Sequence, residues 1–252
     1  MSAARLYVVH GSHPCLTVEK AFAIKGLPYK KVELPASTQP LVMKALFGGR
    51  TVPGVKFADG AKVQGSRAIV RALEDRVPSP PLYDGPAGAA QILEAERWGD
   101  EVLQSIPRRL LWTAFTRHRG AMYGFQEGAK APKLPKPVVV AASYAVLPIE
   151  KRLNDVTDEG VRADLAALPG LLDQVDAYIS DGVLDGAQPN AADLQIAPTI
   201  RLLYALDDVR PLIAGRSAEA FAFRWLDRPV ATVPAGALPV QTAAPAATLP
   251  AT

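Results

Sequence analysis

Thr51-Val52-Pro53-Gly54 follows a first strand-to-helix turn, Gly11-Ser12-His13-Pro14-Cys15, by about forty residues. It precedes a second helix opening, Gln64-Gly65-Ser66-Arg67-Ala68-Ile69, by about a dozen. Pro53 stands at the head of a strand, where it can donate no ladder hydrogen bond. X-Pro is also the one common setting for a cis peptide. A cis bond there would leave the Val52 N–H and C=O free to pair with an extended, peptide-like ligand. With a helix opening on either side, the three segments outline a site for a small thiol peptide.

Outward from this stretch the first eighty residues alternate in type. Leu6–Val9 reads as a buried strand, and Cys15–Ile24 has helical spacing and stops at Lys25-Gly26. Tyr29–Glu33 alternates like a strand, and Gln39–Phe47 is a short helix closed by Gly48-Gly49. Gly54–Phe57 and Lys62–Gln64 flank the hairpin signal Asp59-Gly60, and Ala68–Leu73 is helical again. The order is βαβ, then αββα, and Pro78-Ser79-Pro80-Pro81 marks a linker. Beyond it every periodic segment reads as helix: Gly88–Ser105, Val138–Leu153, Val161–Ile179, Ala191–Leu206 and Ser217–Leu226. Gly124–Pro137 is a Pro/Lys/Gly loop. The expected domains are residues 1–80, α/β, and 88–228, all-helical. A Pro/Ala-rich tail, 229–252, is too poor in large apolar residues to build a core helix and is expected as a disordered tail or an extended strap.

The chain has 252 residues, 49% apolar and 21% charged, which is ordinary for a soluble globular protein. No apolar run approaches the roughly 18 residues of a membrane span. Met1–Arg5 leads straight into the first strand without a signal-peptide core. A single cysteine, Cys15, excludes a disulfide framework and a Cys-rich metal site. The expected compartment is the cytoplasm, with no membrane and no metal. Residues 1–80 carry 12 Lys and Arg against 5 Asp and Glu, and the remainder carries −4 of the overall +3. That basic first part suits an anionic small ligand, or is simply a solvated face. Its cations are scattered without aromatic or Gly-rich recognition motifs, so no nucleic-acid partner is expected.

Four pieces in this order, Ser12-His13-Pro14-Cys15, Thr51-Val52-Pro53, Gly65-Ser66-Arg67-Ala68-Ile69 and Pro189-Asn190-Ala191-Ala192-Asp193, resemble the glutathione S-transferase superfamily over about residues 5–228. The resemblance implies an α/β thioredoxin-like N-terminal domain followed by an all-α helical bundle, with glutathione as co-substrate and a homodimer as the assembly. It implies that Ser12, at a helix N-terminus with its positive potential, stabilises the glutathione thiolate; the bland alternative is a helix cap. Val52 and Pro53 would hold the cysteinyl backbone. Ser66 and the first N–H groups of its helix would take the γ-glutamyl carboxylate, assisted by Arg67. The family commonly has an acidic residue or Gln before that serine; Gly65 departs from this and removes a hold on the ligand's amino end, which leaves glutathione or a related thiol open. The Ala/Pro/Arg-rich second half hints at a GC-rich bacterial genome, where other small thiols occur.

Ser12-x-x-Cys15 resembles a thioredoxin-type active site whose first cysteine has become serine. Cys15 is either a small buried apolar residue or the seat of a mixed disulfide. His13 either contacts ligand or is structural, as is His10. The small-molecule electrophile would lie between the domains, with Arg108, Arg109, Trp112, Phe115 and Tyr123 as candidate lining; the aromatic residues at helical spacing read equally as core. Asn190 and Asp193 form a helix cap and serve folding. The leading reading is a glutathione transferase that detoxifies electrophiles. The rivals are a non-catalytic binding protein on the same fold, and a Cys15-dependent thiol–disulfide reductase or peroxidase.

Overall fold

The computed structural model describes residues 3–239; residues 1–2 and 240–252, the latter more than half of the expected tail, lie outside the described residues. Strand β1 (Ala4–Val8) leads into helix α1 (His13–Ile24), then β2 (Tyr29–Glu33), α2 (Gln39–Phe47), β3 (Gly54–Lys56), β4 (Lys62–Gln64) and α3 (Ser66–Arg76). The sheet order is β2-β1-β3-β4. β1 pairs parallel with β2, Leu6 opposite Lys31, and antiparallel with β3, Leu6 opposite Val55. β3 and β4 form the hairpin that Asp59-Gly60 signals. Leu6, Val8 and Val55 have no exposed surface and join Val18, Phe22, Ile69 and Leu73 in one core, which removes roughly 1.5–3 kcal/mol of apolar surface from water per large side chain.

The linker is pinned. Lys25, its side chain wholly buried, pairs with Glu74 and donates to Pro80 O, and the Glu74 carboxylate accepts the Leu82 N–H. The helical part follows as α4 (Ala89–Trp98), α5 (Ser105–Arg117), α6 (Lys136–Leu153), α7 (Asp158–Ser180), α8 (Ala191–Tyr204), a short α9 (Arg210–Ile213) and α10 (Ser217–Trp225). A straight helix was expected through Gly88–Ser105. Instead a π turn, Gly99–Leu103, separates α4 from α5, with Gln104 N donating to Gly99 O at 2.9 Å. A side chain at Gly99 would have its Cβ 2.8 Å from Ile196, so glycine is what lets this turn lie against α8.

Helix α8 is the axis of the molecule: all of its residues except Arg201 and Tyr204 are buried, and it packs on α1, α4 and α10. It starts on the expected cap. Asn190 Oδ1 accepts from Ala192 and Asp193 N–H, and Asp193 Oδ2 accepts from Asn190 N–H at 2.7 Å. From Pro229 to Pro239 the chain is an ordered strap on the end of α8. Val233 forms a bridge to Leu206, with Val233 N donating to Ala205 O and Asp207 N to Val233 O. The Asp208 carboxylate accepts from Gly236 and Leu238 N–H. Val233, Ala237 and Leu238 are buried, so this part of a segment poor in large apolar residues still contributes to the core.

Asn190→Ala removes two cap bonds and the Asn190 Nδ2 bond to Val183 O. It is expected to cost about 1–2 kcal/mol, read as a lowered urea midpoint at unchanged slope.

Candidate functional site

The Val52-Pro53 peptide is cis, and neither Val52 N nor Val52 O has a hydrogen-bond partner among the described residues. Pro53 O accepts from Gly65 N at 2.9 Å, which fastens the turn to the start of α3. Gln64 holds the same turn from the other side, donating to Thr51 O and accepting from Gly49 N. The expected free edge for a peptide-like ligand is therefore present and braced.

At the head of α1, Ser12 occupies the N-cap position with φ −72° and ψ 118°. Its hydroxyl caps no helix N–H, so the plain capping role does not account for it. Cys15 is 2% exposed, and burial pushes its thiol up to about 12, the Ser12 hydroxyl and the Val9 carbonyl opposing only weakly. A reactive cysteine needs a low pKa and access. Burial and the raised pKa both weigh against the redox alternative and favour the small buried residue.

His13 is a structural link between domains. Its ring is buried and Nε2 donates to Gln104 O at 3.0 Å. Burial, with the Arg108 charge second, lowers its pKa to about 3, so it is neutral at ordinary pH. Gln104 reaches this point because of the π turn. It is a hub that sequence reasoning missed: Gln104 Nε2 donates to Asp100, and Gln104 Oε1 accepts from Gln195 Nε2 at 2.6 Å and from Ser66 Oγ at 3.4 Å. A glycine inside an otherwise helical pattern, Gly99, was the signal available.

The start of α3 departs from expectation in two ways. Ser66 is 3% exposed beneath Gln104, so its hydroxyl already has a neighbour. Arg67 faces the second domain, with Nε 3.3 Å from Glu96 and Nη1 3.3 Å from Glu101. Glu96, buried, also takes Arg71 and the Tyr83 hydroxyl. Arg67 thus cannot serve as a free anchor. What remains for a carboxylate are the N–H groups of Ser66, Arg67 and Ala68, which have no acceptor among the described residues. Gly65 precedes them at φ 93°, a left-handed conformation that glycine adopts without strain.

The expected electrophile lining is regrouped. Arg109 forms a two-pronged pair with Asp164 of α7, both bonds 2.7 Å, and is structural. Phe115 is buried, edge-on to Trp112 and to Phe125, so it supports the site from behind. Tyr123 is exposed. Arg108 is half-buried without a hydrogen-bond or ion-pair partner among the described residues. Burial, more than any neighbouring charge, lowers its pKa. The cavity that opens beside Ser12 has a volume of about 300 Å³ and is bounded by Val9–His13, Cys15 and Leu16 of the first domain, by Phe125, by Arg201 and Leu202 of α8, by Leu226 and Asp227, and by Pro229–Ala231 of the strap. Val52, Ser66, Arg108, Trp112 and Phe115 do not line it.

Residues 6–81 match the family model described as glutathione S-transferase, N-terminal domain. Among solved structures, a glutathione S-transferase from Rhodospirillum rubrum is similar at TM-score 0.59 and 20% identity, covering 90% of this chain and 89% of that one. Glutathione S-transferase III in its apo form gives 0.62 and 18%, covering 91% and 94%. A maleylacetoacetate isomerase from Anaeromyxobacter dehalogenans, with glutathione bound in its active site, gives 0.52 and 20%, covering 88% of each chain. A search of curated protein sequences finds no match. No helix among the described residues is long and apolar enough to cross a membrane.

Two measurements probe this geometry. His13 has a folded pKa below its unfolded one, so the unfolded chain binds the extra proton and stability falls as pH drops from about 6.5 toward 3. Between pH 6.5 and 5 the wild type should lose about 1.5 kcal/mol more than His13→Phe in urea unfolding. Iodoacetamide at pH 7.5 should label Cys15 readily in urea, and in the native protein only as fast as it unfolds.

Proposed function

We propose that this chain, a member of the glutathione S-transferase superfamily by its first-domain match and its fold, is a glutathione-dependent transferase that joins the thiol to an electrophilic small molecule. The observation that carries the reading is the Ser12 hydroxyl: it stands at the N-terminus of α1, caps nothing, and opens on a cavity. A hydroxyl so placed donates to a sulfur anion, and the helix N-terminus adds positive potential. Together these favour the thiolate over the thiol, and each pKa unit of lowering corresponds to about 1.4 kcal/mol.

Glutathione fits the rest of the site in part. The unbonded Val52 backbone matches the cysteinyl amide, and the free N–H groups at the head of α3 match the γ-glutamyl carboxylate. Gly65 offers no side chain to the ligand's amino group, and Arg67 is spent on Glu96. The ligand's hold therefore rests on backbone groups more than on side chains. The thiolate attacks the electrophilic carbon, the leaving group departs with its bonding electrons, and the thiol proton passes to solvent. Proximity in the cavity supplies the remaining acceleration. A homodimer in the cytoplasm belongs to the same proposal, with sedimentation as its check. The covered Ser66 and the engaged Arg67 favour one other reading, a binding protein of the same fold without turnover.

Calorimetry with glutathione should show saturable binding at up to millimolar concentration. Ser12→Ala should leave that binding within a few-fold while lowering kcat/KM for conjugation to 1-chloro-2,4-dinitrobenzene roughly 10- to 100-fold. Binding without turnover would establish the second reading, and absence of both would remove glutathione from the account.

A further inference from the structure

The cavity beside Ser12 has two sorts of wall. Leu16, Phe125, Leu202 and Leu226 give it an apolar body. Three of the six Lys, Arg, Asp and Glu residues of its lining are ion-paired: Lys31 pairs with Glu19 at 2.7 Å, and Glu127 pairs with Lys133. Asp227 is a lining carboxylate with no cation within 4 Å among the described residues. Against it stand two cations without an acidic partner, Lys20 and Arg201.

Arg201 is the more telling of the two. It is one of only two residues of α8 not buried, on a helix that otherwise serves the core. Its Nε donates to Asp227 O at 2.6 Å, which fixes the plane of the guanidinium. The two terminal amino groups have no acceptor among the described residues, and burial pulls the pKa of the group down, the nearby Asp227 carboxylate opposing it. A planar guanidinium fixed through Nε presents its remaining N–H groups as a fork that fits a carboxylate.

We infer that this cavity is the electrophile site, that its substrate is a compact apolar electrophile carrying one carboxylate, and that Arg201 receives that carboxylate. The inference rests on the transferase reading for the fate of the ligand, but binding in the cavity stands apart from it. The volume of about 300 Å³ is at the lower end of small-molecule sites and suits a single substituted ring. The strap belongs to the site: Pro229 to Ala231, with Leu226 and Asp227 before them, close one wall, and the Asp208 bonds further along hold the strap in place. In the reaction with an aryl halide the thiolate sulfur bonds to the ring carbon, chloride leaves with the C–Cl electrons, and the Arg201–carboxylate contact persists throughout.

The test uses two ligands of one shape, 4-chloro-3-nitrobenzoate and its neutral counterpart 4-chloro-3-nitrobenzamide, titrated calorimetrically into the full-length protein without any thiol. The wild type should bind the benzoate at least tenfold more tightly than the benzamide. Arg201→Gln should abolish that preference while benzamide affinity stays within twofold, which shows the cavity intact; Arg201→Lys should restore part of it. Equal affinity of the wild type for both ligands, or an undiminished preference in Arg201→Gln, overturns the assignment. Should Arg201→Gln fail to fold, Lys20→Gln with added chloride competition reads the same electrostatic preference, and a preference insensitive to both overturns it. Glutathione binding measured on the same preparation reports separately on the transferase reading.

Discussion

Everything at the site depends on one buried carboxylate. Glu96, on α4, collects Arg67 and Arg71 from α3 and the Tyr83 hydroxyl from the linker. A carboxylate with 1% of its side chain exposed is costly to desolvate and is tolerated only where its oxygens are satisfied. Here three partners do so, and each comes from outside the helical part. The two domains are thereby fixed face to face, with the head of α3 against the π turn. Ser66 under Gln104, and His13 on the Gln104 carbonyl, follow from that docking.

The same docking decides which groups are left over for the proposed thiol site. Side chains that could grip a ligand have been used to join domains: Arg67 in ion pairs, Ser66 against an amide, His13 as a neutral strut. The groups left over are backbone ones, at Val52 and at the start of α3, and the Ser12 hydroxyl. Gly65 fits this picture. Its left-handed backbone sets the direction in which α3 begins, and a side chain there would bring strain along with any extra contact.

The sequence was most legible where local rules coincide with tertiary ones. The strand and helix order, the hairpin at Asp59-Gly60, the cis Pro53 and the cap at Asn190 all rest on short-range chemistry that the fold then uses. The positions of the candidate site were legible as local geometry: the Ser12 helix start, the cis Val52-Pro53 bond and the opening of α3 are as the ordered motifs predict. Three things were not. Arg67 and Arg109 found carboxylates far along the chain, Glu96 and Asp164, and such pairings have no local signature. Cys15 was open between two roles that only burial distinguishes. The electrophile lining was placed at Arg108, Arg109, Trp112, Phe115 and Tyr123 by the resemblance, whereas the cavity beside Ser12 is lined by Phe125, Arg201 and a strap without periodicity.

The π turn carries a further consequence. A π turn is one residue more than the helix needs, and each residue of an α-helix turns its successor by about 100°. The orientation of the whole second half of that rod is therefore set by a count, not by the identity of any side chain. A chain lacking only the exposed Val102 would keep the contact-forming side chains and lose their directions: Gln104 away from His13, Arg109 away from Asp164, Phe115 away from Phe125. Among relatives of such low identity, spacing across this segment would distinguish this arrangement of the cleft more sharply than any substitution within it.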